Sequence, residues 1–139
     1  MTDRLASVVD LATFGTGTMT VLELQIDSCR IAQDHGFWNT YDDIQSALDA
    51  ACDGMCCGPD ANLLNVIIDS KLMLAVGELS EAEDALRHNK PTPEFAEELA
   101  DAIIRIADLA HKLGINLEAA IRAKQAYNEQ RPHMHGKTF

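Results

Sequence analysis

The sequence predicts an all-α helical bundle, and three observations carry that expectation. Alanine, leucine and isoleucine dominate while aromatic residues make up only 5% of the chain, a mixture that favours helices packed on helices over sheets. Two long segments, from about Ala61 to His88 and from Thr92 to Lys112, repeat apolar residues at the spacing of one helical face. The breaks between segments fall where turn-forming residues cluster, at "GFWNT", "CDGMCCGPD" and "NKPTPEF".

Each element has a local reason. Residues 3–12 suit a short helix, and "TFGTGTMT" reads as a loop because two glycines and four threonines disfavour continuation. Thr20 and Glu23 form a capping-box pattern ahead of a helix that runs to about Asp34 and is stopped by Gly36. Thr40 and Asp43 resemble a second N-terminal cap for a short helix over 41–52, and Pro59 and Asp60 mark the exit from the loop that follows. After the first long helix, Thr92 is the expected N-cap of the second, with Pro93 at its first helical position and Gly114 as its stop. Asn116 caps a last helix that ends near Pro132. The short connection at 88–92 makes the two long helices antiparallel neighbours. No repeat or low-complexity tract interrupts this pattern. The 139 residues are expected to form one domain, with its motif-bearing core at 61–137.

Charge narrows the function classes. Acids outnumber bases 22 to 11, for a net charge of −11. Such a surface repels nucleic acid and anionic lipid, so neither is an expected partner. A small phosphorylated substrate would be repelled too, unless cations bridged it to the protein. Asp3 and Asp10 do not suit a signal peptide, and the most apolar stretch, "NLLNVIIDSKLMLAV", is cut by Asp69 and Lys71 and is too short to span a bilayer. A cytoplasmic protein is therefore expected. Cys52, Cys56 and Cys57 cluster in one loop, but a zinc site would want a second ligand pair, so free thiols in a reducing compartment are the expectation.

The chemistry is carried by acids beside the two apolar faces. At about 100° per residue, Ile68, Leu72, Ala75, Val76, Leu79, Ala82 and Leu86 share one face of the first long helix, with Glu78 and Glu81 on its flank beside Lys71, Leu74 and Ala85. In the second, Phe95, Leu99, Ala102, Ile103, Ile106, Leu109, Ala110 and Leu113 form the apolar face, with Glu98 and Asp101 on its flank and Arg105 a turn further on. Pairs at i, i+3 project to the same side, so antiparallel neighbours can bring four carboxylates to one point. Such a cluster repels itself and is costly to desolvate. Hard divalent cations relieve both costs, since magnesium prefers oxygen ligands and retains waters that a phosphate can replace. The bland alternative is a set of solvated surface charges, which an acidic helical protein produces easily. A di-iron carboxylate bundle wants two Glu-x-x-His pairs, and only "DLAH" at 108–111 comes near one.

The order ExxE, sixteen intervening residues, then ExxD resembles the all-α nucleoside triphosphate pyrophosphohydrolases of the MazG type. The words "LMLAVGELSEAEDALR", "EELADAIIRIADLAHKLGINLEAAI" and "KQAYNEQRPHMHGK" extend the likeness over residues 66–137, with a looser echo in "HGFW". The nearest form is the short single-domain MazG-like protein of bacteria and their phages, which implies a bacterial cytoplasm, or that of the host cell for a phage protein. The resemblance implies hydrolysis of a nucleoside triphosphate, and of a deoxynucleotide by preference, between the α and β phosphates to give monophosphate and pyrophosphate. It implies that Glu78, Glu81, Glu98 and Asp101 are the catalytic metal ligands, for magnesium or alternatively manganese. It implies a homo-oligomer as well, a tetramer or alternatively a dimer. Many relatives carry a further glutamate just before the first pair, where this chain has Gly77, so the base that takes the water's proton is left open.

Lys124, Asn128 and Arg131 share one helical face at i, i+4, i+7 and are candidates for holding phosphate, with Lys71 and Arg105 behind them. Trp38, next to Phe37, and Gln25, Asp27 and Asp34 are candidates for the base, although Phe37 and Trp38 could equally seal the end of the bundle. An aspartate suits the paired donors of guanine, which makes dGTP the first guess. Two other readings stay open: a phosphoribosyl-ATP pyrophosphohydrolase-like activity, which shares the acidic helix pair, and a non-catalytic helical interaction module.

Overall fold

In a computed structural model, which describes residues 17–53 and 62–131, the described chain forms five helices and no strand. These are α1 (Val21–Asp34), α2 (Asn39–Asp53), α3 (Asn62–Arg87), α4 (Thr92–Lys112) and α5 (Leu117–Glu129). The predicted helix at 3–12, the side chains of the cysteine cluster and the tail "HMHGK" lie outside the described residues. Among the described residues, no helix is long and apolar enough to cross a membrane.

The ends of the helices follow the local chemistry of the chain. Thr20 and Glu23 close a full capping box: the Thr20 N–H donates to Glu23 Oε2 at 2.7 Å, and the Glu23 N–H donates to Thr20 Oγ1 at 3.1 Å. Asn116 caps α5 by accepting from the Ala119 N–H at 2.9 Å. Asn89 turns the chain out of α3 with φ 48°, a left-handed conformation that asparagine tolerates better than most residues. Helix α5 ends at Glu129, about three residues before the expected stop near Pro132, and two helix starts shift as well. Helix α2 begins at Asn39, ahead of the Thr40 cap, because the chain is already turning at Gly36 and the Asn39 N–H bonds back to its carbonyl at 3.2 Å. Helix α4 begins at Thr92 with Pro91 as N-cap and no side-chain cap, since a proline just inside a helix start leaves one fewer amide to satisfy.

Helices α3 and α4 pack together over most of their length, and α1 lies against α4. The face that α3 buries keeps Ala75 and Ala82 of the expected one but turns to include Glu78 and Ala85 from its flank. Its buried residues are Ala75, Glu78, Ala82 and Ala85, and those of α4 are Ala102, Ala107, Asp108, Leu109 and Ala110. Several of the larger residues expected in the core of α3 point outward, with Val76 51% and Leu86 68% exposed. Small side chains let two helix axes approach closely, which suits the burial of alanines on both helices while bulkier residues of α3 stay outward.

The bundle is closed at one end by Trp38, which is 1% exposed and clusters with Ala32 and Leu109 against Tyr41, Ile68 and Leu113. Its indole Nε1 donates to Asp108 Oδ1 at 2.7 Å. Tyr41 meets the indole edge-on, with centroids 5.5 Å apart. Lys112 binds Asp42 at 2.6 Å and lies 5.4 Å from the Trp38 ring centre, tying α4 to α2. Gln25 works as a clamp at another junction. Its amide donates to the Ile115 carbonyl at 2.7 Å and its carbonyl accepts from the Leu117 N–H at 3.1 Å, holding α1 to the α4–α5 turn.

Gln25→Ala should therefore act on stability. It leaves a backbone donor and acceptor without partners, at about 1–3 kcal/mol, and should lower the denaturant midpoint. A variant with unchanged stability and an altered ranking of nucleotides would instead make Gln25 a base contact.

Candidate functional site

The acids singled out in the sequence sit along the seam between α3 and α4. Glu78 falls in the alanine row of α3 and is carried into the contact with it, which buries a residue expected on the flank. Glu98 and Asp101 stand one turn apart on α4. One carboxylate oxygen from each of Glu78, Glu98 and Asp101 lies within 4.8 Å of the others. Glu81, the fourth expected member, is exposed and outside this group.

The cluster carries the electrostatic strain its composition implies. Removal from water pushes the Glu98 carboxyl above the usual carboxylate range, and the charge of Glu81, then Glu78 and Asp101, pushes the same way. Arg105 answers part of that charge. Its Nε donates to Glu78 Oε1 at 2.6 Å, and its Nη2 forms an ion pair with the same oxygen at 2.5 Å. Three hard oxygen donors with one arginine against them remain a donor set suited to a divalent cation such as magnesium or manganese.

Beside the cluster lies a cavity of about 270 Å3. Asp101 and Arg105 line it, together with Phe37, Lys71, Asp108 and the apolar Ile104. Lys71 is fixed by donating to the Phe37 carbonyl at 2.9 Å, and its ammonium lies 4.5 Å from the Trp38 ring centre and 5.5 Å from that of Phe37. Partial burial lowers the Lys71 pKa, with the charge of Asp108 opposing the shift.

The remaining candidates lie elsewhere. Trp38 and Gln25 are buried and spend their polar groups on the fold. Asp27 and Asp34 are exposed on α1, both paired to Arg30, at 3.5 and 3.3 Å. Lys124, Asn128 and Arg131 form an exposed face at the end of α5, with Lys124 and Arg131 both over the Tyr127 ring. Among the described residues, no ion pair or hydrogen bond joins them to the acidic cluster. Gly77 is half-buried, and a Cβ there would meet nothing within 4 Å, so packing does not require glycine. Asp108 is the residue that reasoning from the sequence missed. Its signal was an acid set between apolar neighbours in "IADLA", two turns beyond Asp101.

Comparison with protein-family models, with curated proteins and with solved structures finds no match for this chain.

The raised Glu98 pKa sets a pH dependence. Between the ordinary glutamate value and the raised folded value, the folded chain holds more protons than the unfolded one, so stability falls as pH rises through that window. Melting curves in EDTA should show this slope in the native chain and a weaker one in Glu98→Gln. Millimolar magnesium should raise the melting temperature of the native chain more than that of the variant. Equal slopes and equal magnesium responses would mean that Glu98 takes no part in a shared cation site.

Proposed function

We propose that this protein is a divalent-cation-dependent nucleoside triphosphate pyrophosphohydrolase of the MazG type, which splits a nucleoside triphosphate, and preferentially a deoxynucleotide, into monophosphate and pyrophosphate. The observation that carries the reading is the convergence of Glu78, Glu98 and Asp101 next to a cavity that has its own cations. The sequence resemblance supplies the reaction, because the three acids fall at its ligand positions. A bound magnesium would offset the charge of the triphosphate and make a water acidic enough to attack phosphorus.

The chain's own residues have separable tasks in this reading. Glu78, Glu98 and Asp101 hold the cation, and Glu81 adds negative charge beside Glu98. Arg105 orients Glu78 through the contact with its carboxylate, and its guanidinium lines the cavity, where it can meet a phosphate oxygen. Lys124, Asn128 and Arg131 are placed in the reading as a grip on the β and γ phosphates. Among the described residues none of the three pairs with an acid, which supports that role, and Lys124 lies over the Tyr127 ring.

The same reading includes self-association. The outward rows of α3 and α4, with Leu72, Val76, Leu79 and Ile103 each roughly half exposed, are too apolar to face water comfortably in one chain. A second copy presenting the same rows would cover them, as closed homo-oligomers do.

Pyrophosphate release, measured across ribo- and deoxynucleotides with and without magnesium, tests the activity. Release should be abolished by excess EDTA, and Glu98→Gln and Asp101→Asn should each lower turnover by roughly 100-fold or more while the chain stays folded. Diphosphate plus orthophosphate as products would overturn the proposed cleavage, and no release from any nucleotide would favour an interaction module. Leu79→Lys should reduce the assembled mass in light scattering. A native chain that is monomeric at high concentration would remove the self-association.

A further inference from the structure

We infer that the cavity beside the acidic cluster is a guanine site in which Asp108 selects the base. The inference rests on the triphosphate reading above for its substrate class, and on the cavity's own chemistry for the base. At about 270 Å3 the cavity is smaller than the roughly 300–1,000 Å3 of sites that enclose whole ligands. It fits one part of a nucleotide, with the rest extending past Asp101 and Arg105, which line the same space, toward the cluster.

Its lining matches a planar heteroaromatic ring. The Phe37 side chain is 67% exposed and has no packing task in the bundle core, yet it forms part of the cavity wall, where a ring can stack against it. The polar lining is the more specific feature. Lys71 presents an ammonium, which only donates, and Asp108 presents a carboxylate, which only accepts. The two are held together: Trp38 donates to Asp108 Oδ1 at 2.7 Å, and the Lys71 ammonium lies 4.5 Å from the centre of the same indole. A carboxylate accepts about four hydrogen bonds, so the Trp38 indole and the Cys29 thiol together leave acceptor capacity for a ligand. Asp108 is 9% exposed and lines this cavity.

Guanine carries a carbonyl oxygen beside two adjacent N–H donors, its ring nitrogen and its exocyclic amine. The carbonyl suits Lys71 and the two donors suit Asp108. Adenine and cytosine would turn an unprotonated ring nitrogen toward the carboxylate, and thymine or uracil would turn a carbonyl toward it. Each mismatch leaves a largely buried charged group without its partner, the situation in which polar sites discriminate most strongly.

The test separates base binding from hydrolysis. Trp38 is the only tryptophan and touches both polar groups, so its emission reports occupancy directly. Titration with dGMP, dIMP and dAMP in EDTA should rank them in that order, with dGMP tighter than dAMP by about tenfold or more. dIMP, which lacks the exocyclic amine, should fall between. Asp108→Asn should level the three affinities. Because that change also touches the Trp38 contact, Phe37→Ala gives a second reading from an exposed side chain: it should weaken all three alike and keep their order. Equal binding of dGMP and dAMP by the native chain, or binding indifferent to Phe37→Ala, would overturn the inference. Hydrolysis of dGTP, dITP and dATP with magnesium is measured beside these titrations. A guanine preference in EDTA with no hydrolysis would leave the base site standing while the hydrolase reading falls. Hydrolysis without any preference for dGMP would do the reverse.

Discussion

The buried hydrogen bond from Trp38 to Asp108 is the constraint on which the described structure turns. A carboxylate taken out of water costs several kcal/mol unless its lone pairs are matched, and here a largely buried indole supplies the match at 2.7 Å. Meeting that requirement brings the turn after α1 onto α4. Lys71 from α3 and Lys112 from α4 then lie near the indole, at 4.5 and 5.4 Å from its centre, and supply positive charge close to the acid. One bond thus gathers groups from the α1–α2 turn, α3 and α4. Because Lys71 and Asp108 also line the cavity, the interaction that closes the bundle end sets the polar wall of the candidate site.

A second constraint comes from side-chain size. The seam between α3 and α4 is built largely from alanine, which allows close packing but buries little apolar surface per residue. Close approach is what brings Glu78 of one helix near Glu98 and Asp101 of the other. Many of the bulky aliphatic residues, among them Leu72, Val76 and Leu79 of α3 and Ile103 of α4, remain turned outward. The acidic cluster and the outward apolar rows are two results of the same choice of small residues at the seam.

The electrostatics of the cluster are unfinished within one chain. Arg105 satisfies Glu78, yet Glu98 remains harder to ionise than an ordinary glutamate because burial and three neighbouring acids act on it together. Clusters of like charge that are not required for packing are costly to the fold. Gly77 makes the same point from the opposite side: the space beside it is open, so the local packing would accept a larger residue than the one present.

The sequence by itself determined the all-α class, the positions of four of the described helices to within a residue or two, and the identity of the acidic pairs. These are local properties. The capping box at Thr20 and Glu23 and the cap at Asn116 depend on residues three positions apart, and the i, i+3 spacing of Glu98 and Asp101 holds on any helix. Only the tertiary structure decided which face of each helix is buried. Hydrophobic periodicity points to the bulky row, but the row that packs within one chain is the one whose small residues allow two backbones to approach, and that depends on the neighbouring helix. The same reason separates Glu78 from Glu81, which the sequence treats alike: their different angular positions on α3 matter only once α4 fixes where the seam runs. It also explains why Gln25 reads as a binding residue in the sequence and as a fastening in the fold, and why the sequence left Trp38 open between a base contact and a seal of the bundle end. Their partners, the Ile115 carbonyl and Asp108, lie 90 and 70 residues away, beyond the reach of any local pattern.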